Sequence, residues 1–275
     1  MLINEADLSI SRACEAVGLS RRAWYRGDPF AKQLKRDALV IDEFNSLVEL
    51  YPRWGFWKYF HAIRGKGLLW NHKRVWRIYC SMSLNQKRRA KRRLPDRSRT
   101  PLEVPAMPNH TWSFDFMSDT LYSGHRYRIL NIIDEGVREA LNITVGTSLS
   151  SKRVVRVLEG IVAEQGKPRR IRVDNGPEMT SSTFTQWCEE KEIEIIYIQP
   201  GKPTQNAYIE RFNRTFRTEV LDANLFHTLE QVREITWAWM ISYNEERPHA
   251  ALGNIPPTEF KQLVTAEISS NKLCA

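Results

Sequence analysis

Asp174 and Glu210, with thirty-five residues between them, are the side chains best suited by type and context to do chemistry. Asp174 ends the apolar-basic run Arg170-Ile171-Arg172-Val173, and Glu210 lies in Asn206-Ala207-Tyr208-Ile209-Glu210-Arg211-Phe212. A third acid, Asp115, interrupts the aromatic run Trp112-Ser113-Phe114-Asp115-Phe116. A carboxylate in such a run is costly to bury unless it is paired or binds a metal. Oxygen ligands of this kind suit Mg²⁺ or Mn²⁺, and three acids leave coordination positions for water and phosphate. Two such ions could serve a phosphodiester displacement, one at the attacking water or 3′-hydroxyl and one at the leaving oxygen. Arg211, Arg214 and Arg217 follow Glu210, and Arg217 at i+7 shares its helical face, where it could hold a flanking phosphate.

Each acid also has an ordinary reading. Asp174 before Asn175-Gly176-Pro177 fits an Asx turn, and Glu210 beside Arg211 and Arg214 fits an exposed ion pair. The three together, in one order of elements, favour a site. Asp119, Asp134, Glu135 and Glu178 fall in turns or at strand ends and read as structural or supporting acids.

Positioning such a site falls to an alternation of strands and helices. Residue patterning predicts strands at 111–117, 125–134 and 140–145, then a helix from Ser150 to Gly166. A short strand at 171–174, a helix at 180–191, a strand at 193–198 and a helix from Asn206 complete the series. In the last helix Ile209, Phe212, Phe216 and Val220 are expected to face inward. The order βββαβαβα is that of an α/β ribonuclease-H-like domain, a mixed five-stranded sheet with helices, expected over residues 109–265 with a tail at 266–275. Asp115 then lies midway along the central strand, Asp174 at the end of its neighbour, and Glu210 on the first turns of the covering helix.

The N-terminal third has a different character. Residues 1–100 hold 22 Lys and Arg against 9 Asp and Glu, a balance of +13, while the remainder of this +9 chain is close to neutral. Such a split fits a polyanion-binding module joined to a near-neutral core. Within residues 1–30, Ser9 and Ser20 cap two short helical patterns around Gly18-Leu19, a helix-turn-helix spacing that presents Arg21, Arg22 and Arg26 to DNA. Residues 31–86 read as a second helical DNA-binding unit. An amphipathic helix runs from Asp37 to Leu50, and another after Asn71 turns Val75, Ile78, Tyr79 and Met82 inward, leaving Lys73, Arg74 and Arg77 for solvent or DNA. Trp54, Trp57, Trp70 and Trp76 read mostly as core aromatics. Residues 87–108 form a basic, Pro-rich linker in which Lys87, Arg88, Arg89, Lys91, Arg92 and Arg93 would bind backbone phosphates without reading sequence.

Several classes are excluded. No run approaches the roughly 18–20 apolar residues of a membrane span, and the acidic start is unlike a secretion signal. Cys14, Cys80, Cys188 and Cys274 are scattered, with no disulfide framework or zinc spacing, and free thiols fit the cytosol.

At these residues the chain resembles transposases of bacterial insertion sequences of the IS-three type. The likeness is to the second reading-frame product, which has a retroviral-integrase-like DDE core. The matching stretches are Trp112–Phe116, Val173-Asp174-Asn175-Gly176-Pro177-Glu178, Gln205–Arg217, and the tail Tyr243-Asn244-Glu245-Glu246-Arg247-Pro248-His249 with Leu252-Gly253 and Pro257–Phe260. The resemblance implies Asp115, Asp174 and Glu210 as the catalytic, metal-holding triad, with Arg217 at the basic position after the glutamate. It implies double-stranded DNA as partner, at both element ends and target, and Mg²⁺ or Mn²⁺, two ions with DNA bound. It further implies nicking at element ends followed by 3′-hydroxyl attack on a second phosphodiester. Proteins of this kind act mostly as a frameshift fusion with an upstream first-frame product, whose end-binding helices this chain lacks, and as homo-oligomers on DNA. A cytoplasmic, nucleoid-associated protein would follow.

Two departures stand out. Asp134-Glu135-Gly136-Val137-Arg138 replaces the usual acidic-Phe-Ser-Arg turn, an exchange expected to loosen local packing, and Ala207 stands where many members have Gly. Two other readings compete: a DNA-binding protein without catalysis, and a ribonuclease H or resolvase. The latter predicts a fourth clustered acid and no basic N-terminal module.

Overall fold

The computed structural model describes residues 9–26, 29–85, 105–199 and 203–273, so the basic run Lys87–Arg93 lies outside the described residues. The chain divides into two compact units, residues 1–52 with 70–85 and residues 53–69 with 86–275. Residues 53–69, expected within the second helical unit, thus group with the sheet.

In the helical unit, α1 (Ile10–Ala16) begins where the Ser9 hydroxyl accepts from the Arg12 N–H. Gly18, at φ +65°, turns the chain in the left-handed region, and Ser20 accepts from the Ala23 N–H to start α2 (Arg21–Arg26). α3 (Pro29–Leu50) begins eight residues earlier than patterning indicated. Its buried stripe runs Asp37, Val40, Phe44 and Leu47, while Leu39 and Leu50 face solvent. An acid on that stripe needs partners. Arg74 Nε (3.0 Å) and Arg77 Nη2 (2.8 Å), from α5 (His72–Ser81), both reach Asp37 and hold its carboxyl below the usual range against the opposing effect of burial. Val75, Ile78 and Tyr79 are buried as expected; of the tryptophans, Trp54 is buried but Trp57 and Trp76 are exposed. Trp57 lies on α4 (Phe56–Gly65), which belongs to the other unit.

The sheet unit has five strands in the order β3-β2-β1-β4-β5. β1 (Thr111–Thr120), β2 (Arg126–Asp134) and β3 (Ala140–Gly146) form the antiparallel meander; β4 (Arg170–Val173) and β5 (Glu194–Tyr197) add in parallel. The sheet is therefore mixed, with β1 at its centre. One face buries Trp112, Phe114, Leu130, Ile132, Ile171 and Val173 beneath α6 (Ser151–Gln165) and α7 (Ser182–Glu190). Each such side chain removed from water contributes roughly 1.5–3 kcal/mol. The opposite face packs Met117, Ile129, Ile133 and Val145 against α8 (Ala207–Phe216), the π-helical turn Arg217–Leu221 and α9 (Leu229–Glu245). Ile209, Phe212, Phe216 and Val220 are all buried there. α10 (Pro257–Leu273) runs through most of the segment expected as a tail.

The turn at 134–138 is tightly packed, contrary to expectation. Asp134 accepts from the backbone N–H groups of Asn109 (2.6 Å) and Gly136 (2.8 Å), and Glu135 is fully buried against Arg172 Nε at 2.9 Å. A Cβ at Gly136 would lie 2.1 Å from the Met107 carbonyl oxygen, so the backbone approach itself demands glycine. Arg138, at φ +60°, donates to the Glu135 carbonyl and stacks over the Tyr208 ring at 3.6 Å. A buried charge pair and a close backbone crossing replace the apolar filling.

Candidate active site

Strand parity decides where Asp115 points. Trp112 and Phe114 enter the α6/α7 core, so Ser113, Asp115 and Met117 face α8. On β4 the same rule sends Ile171 and Val173 one way and Arg172 the other. The parallel register pairs Ser113 with Arg172; Asp174 follows directly after β4, close enough for its charge to act on Asp115. The strand order thus converts two distant acids into neighbours.

Glu210 comes from above. Asn213, one turn further along α8, donates from Nδ2 to Asp115 Oδ2 at 2.9 Å, and its Oδ1 accepts from Asn131 Nδ2 at 2.7 Å. Asn131 pairs with Asp115 across the β1/β2 ladder, so one amide clamps α8 onto two strands. Glu210 at i−3 then shares the clamped face. Asp115 Oδ1 accepts from the Phe116 N–H at 2.8 Å. Burial, assisted by the charges of Asp174 and Glu210, raises its pKa to about 6 despite these hydrogen bonds.

Asp174 is exposed and accepts from the Gly176 N–H at 3.2 Å, the Asx turn anticipated as its ordinary reading. A Cβ at Gly176 would come within 3.1 Å of that carboxylate, so glycine leaves the carboxylate face open. Asn175 pins the turn by donating to the Ile198 carbonyl oxygen at 3.0 Å. Glu210 is exposed and makes no ion pair among the described residues; Arg211 and Arg214 do not engage it. Arg217 turns instead to the end of β1, donating to Ser118 O at 3.0 Å and standing 3.4 Å from Asp119.

The donor set is three carboxylates, hard oxygen ligands that fit Mg²⁺ or Mn²⁺. Mutual repulsion that raises Asp115 is what a divalent cation would relieve. Among the described residues, however, no three His, Cys, Asp or Glu side chains stand close enough to hold a metal as they are placed. The acids share a field, not a closed coordination shell.

The other acids have partners. Glu178 meets Arg128, Asp119 meets Arg217, Glu135 meets Arg172, and Asp134 takes backbone N–H groups. Of the expected DNA-binding cations, Arg21, Arg22, Lys73 and Arg214 are exposed, and Arg26 ends α2. Arg74 and Arg77 are engaged by Asp37. Patterning missed Asn213 and Asn131, although Asn213 lies three residues beyond Glu210, the spacing that shares a helical face.

A mixed sheet with this strand order, a central-strand aspartate and an acid-bearing covering helix defines a ribonuclease-H-like integrase core. Two models described as Integrase core domain match residues 105–203 and 191–257. The insertion element IS407 uncharacterized 31.7 kDa protein of Burkholderia multivorans is 37% identical, over 96% of this chain and 95% of its own length. The insertion element IS476 uncharacterized 39.2 kDa protein of Xanthomonas euvesicatoria is 38% identical, over 94% of this chain and 74% of its own length. A chain in the simian T-cell lymphotropic virus intasome in complex with PP2A regulatory subunit B56 gamma superposes with TM-score 0.51 at 19% identity, over 70% of this chain and 67% of that one. The chain belongs to the insertion-sequence transposases of the IS-three type, with an integrase core domain. No helix among the described residues is long and apolar enough to cross a membrane.

Proposed function

We propose that this chain cleaves and joins DNA strands during movement of an insertion sequence, with Asp115, Asp174 and Glu210 as its catalytic acids. The observation that supports the reading is that the charges of Asp174 and Glu210 both raise the buried Asp115, while Asn213 ties the helix that carries Glu210 to Asp115. Bound Mg²⁺ or Mn²⁺ would supply charge neutralisation at the reacting phosphate and its attacking and leaving oxygens. Asp115 sits rigidly on the central strand, whereas Asp174 and Glu210 are solvent-facing and able to adjust to a substrate. In the first reaction water oxygen attacks phosphorus, the P–O3′ bond breaks, and a 3′-hydroxyl is freed. In the second that hydroxyl attacks another phosphodiester, one P–O bond forming as one breaks.

Arg21, Arg22, Arg26 and Lys73 are proposed to engage DNA from the helical unit, with Lys87–Arg93 adding sequence-independent phosphate contacts. Arg214 and Arg217 would serve phosphates near Glu210. Arg74 and Arg77 retain part of their surface for DNA while neutralising Asp37. A first-frame fusion partner and a homo-oligomer on DNA complete the proposal.

The test uses labelled element-end duplex with Mg²⁺ and the chain, alone and fused to its upstream frame, beside Glu210→Gln. Metal-dependent nicking or joining should fall roughly a thousandfold in the variant, the factor given by about 4 kcal/mol of lost transition-state stabilisation. Binding without cleavage by the chain in both its free and its fused form would withdraw the catalytic assignment and leave a DNA-binding protein.

A further inference from the structure

Helix α8 carries two chemically different stripes. Glu210 and Asn213 belong to the β1 side, whereas Tyr208, Arg211, Phe212 and Thr215 line a cavity of about 430 Å³. Positions 208, 211, 212 and 215 form one helical face. The cavity lies within the sheet unit. Its remaining walls are the start of α4, the turn at Arg138 and the run Arg247-Pro248-His249, a tail motif for which the acidic triad has no use.

Four cations line this space: Lys58, Arg138, Arg211 and Arg247. One part-buried acid, Glu219, answers two of them, with Arg247 Nη2 at 2.6 Å and Lys58 Nζ at 3.4 Å, and it also accepts from the Trp239 indole at 3.1 Å. Arg138 stacks on Tyr208, and Arg211 is exposed with no ion pair among the described residues. The positive charge therefore exceeds the negative.

Neighbouring groups register that excess. Burial, then the charge of Arg247, pushes the Lys58 ammonium down to about 8. Burial, then Arg247, Lys58, Arg211 and Arg138, pushes His249 down to about 3. The buried Nε2 of His249 has no hydrogen-bond partner among the described residues, so as the Nε2–H tautomer it would donate to an anionic oxygen.

We propose that this cavity takes a backbone phosphate of DNA, a second contact point one helical face away from the acidic triad. Its volume falls within the roughly 300–1,000 Å³ of ligand pockets, with room for a phosphate and parts of its flanking sugars. Arginines suit the role because the guanidinium fork matches two phosphate oxygens at once. Placing Glu210 and Arg211 on adjacent faces of one helix couples seating of this phosphate to the position of the catalytic acid. The identity of the polyanion rests on the proposed function; the demand for an oxyanion does not.

The test measures affinity of the full chain for a labelled element-end duplex across salt concentrations in EDTA, where no cleavage intervenes. Arg211→Ala and Lys58→Gln are compared with wild type, and thermal melting checks each fold; Lys58→Gln leaves Glu219 paired with Arg247. Each variant should lower the slope of log affinity against log salt by about 0.9, the effect of one lost phosphate contact. Unchanged slopes in both folded variants would overturn the proposal. A second arm asks whether inorganic phosphate, at matched ionic strength, raises the melting temperature. If phosphate stabilises wild type but not Arg211→Ala while DNA slopes stay unchanged, the cavity holds a small free oxyanion and the DNA assignment falls. Reduced slopes in a chain that never nicks DNA would sink the enzyme reading alone; normal nicking with unchanged slopes would sink the cavity alone.

Discussion

Two groups of acids share the sheet unit under opposite conditions. At the turn after β2, Asp134 and Glu135 are buried deeply, yet each is answered by backbone N–H groups or by Arg172. Midway along β1, just past the end of β4 and on α8, Asp115, Asp174 and Glu210 lie within reach of one another's charge, and no cation side chain among the described residues pairs with them. Burial raises Asp134, Glu135 and Asp115 alike, so burial alone does not separate the groups; the charge of the neighbours does, Arg172 lowering Glu135 where Asp174 and Glu210 raise Asp115 further. Glu135 meets a cation from β4, whereas Asp115 meets two carboxylate charges and only neutral N–H donors.

The contrast can be broken first at its structural pole. Arg172→Leu leaves Glu135 buried and unpaired, and should destabilise folding by roughly 3–5 kcal/mol in urea titration. A loss below about 1 kcal/mol would show that Glu135 finds another partner or a proton at little cost.

At the other pole, Asn213→Ala removes the clamp between α8 and Asp115 without touching a carboxylate. Metal-dependent strand cleavage should drop roughly 10–100-fold, with a matching rise in the Mg²⁺ needed for half-maximal rate and little change in DNA affinity. Weakened DNA binding with unchanged metal demand would mean that Asn213 does not position the acids.

A smaller effect separates hydrogen bonding from charge pairing. Asp134 is raised to about 6 because burial outweighs its three backbone N–H donors. The folded state thus keeps a proton that the unfolded chain releases near the ordinary carboxylate range, so this group favours folding at low pH. Its contribution is lost as pH rises towards about 6, and is flat above. Carboxyl-carbon NMR titration should place the Asp134 midpoint near about 6; a midpoint at or below the ordinary value would mean the N–H donors win.

Much of this was legible in the residues. Strand alternation around Asp115, the Asn-Gly-Pro stop after Asp174 and the inward spacing Ile209, Phe212, Phe216 and Val220 are local patterns, and local patterns survive folding. Partnerships made by tertiary register were not legible. Nothing near Asp37 announces Arg74 and Arg77, which lie on a separate helix, and nothing near Arg172 announces Glu135 across the sheet. The Asn213 clamp depends on how α8 rotates over β1, a fact of packing rather than spacing. The exchanged turn at 134–138 suggested looser packing because the arginine partner of Glu135 is thirty-seven positions away.

The most direct measurement is Mn²⁺ binding, followed by electron paramagnetic resonance with element-end duplex present, in wild type, Asp115→Asn and Glu178→Gln. Glu178 is the control, an acid already paired with Arg128 whose loss should cost about 1 kcal/mol of stability or less. Mn²⁺ is expected to bind wild type and Glu178→Gln alike and to be lost from Asp115→Asn. Equal retention in all three proteins would contradict a metal-holding triad, and the open acids would then need a different occupant.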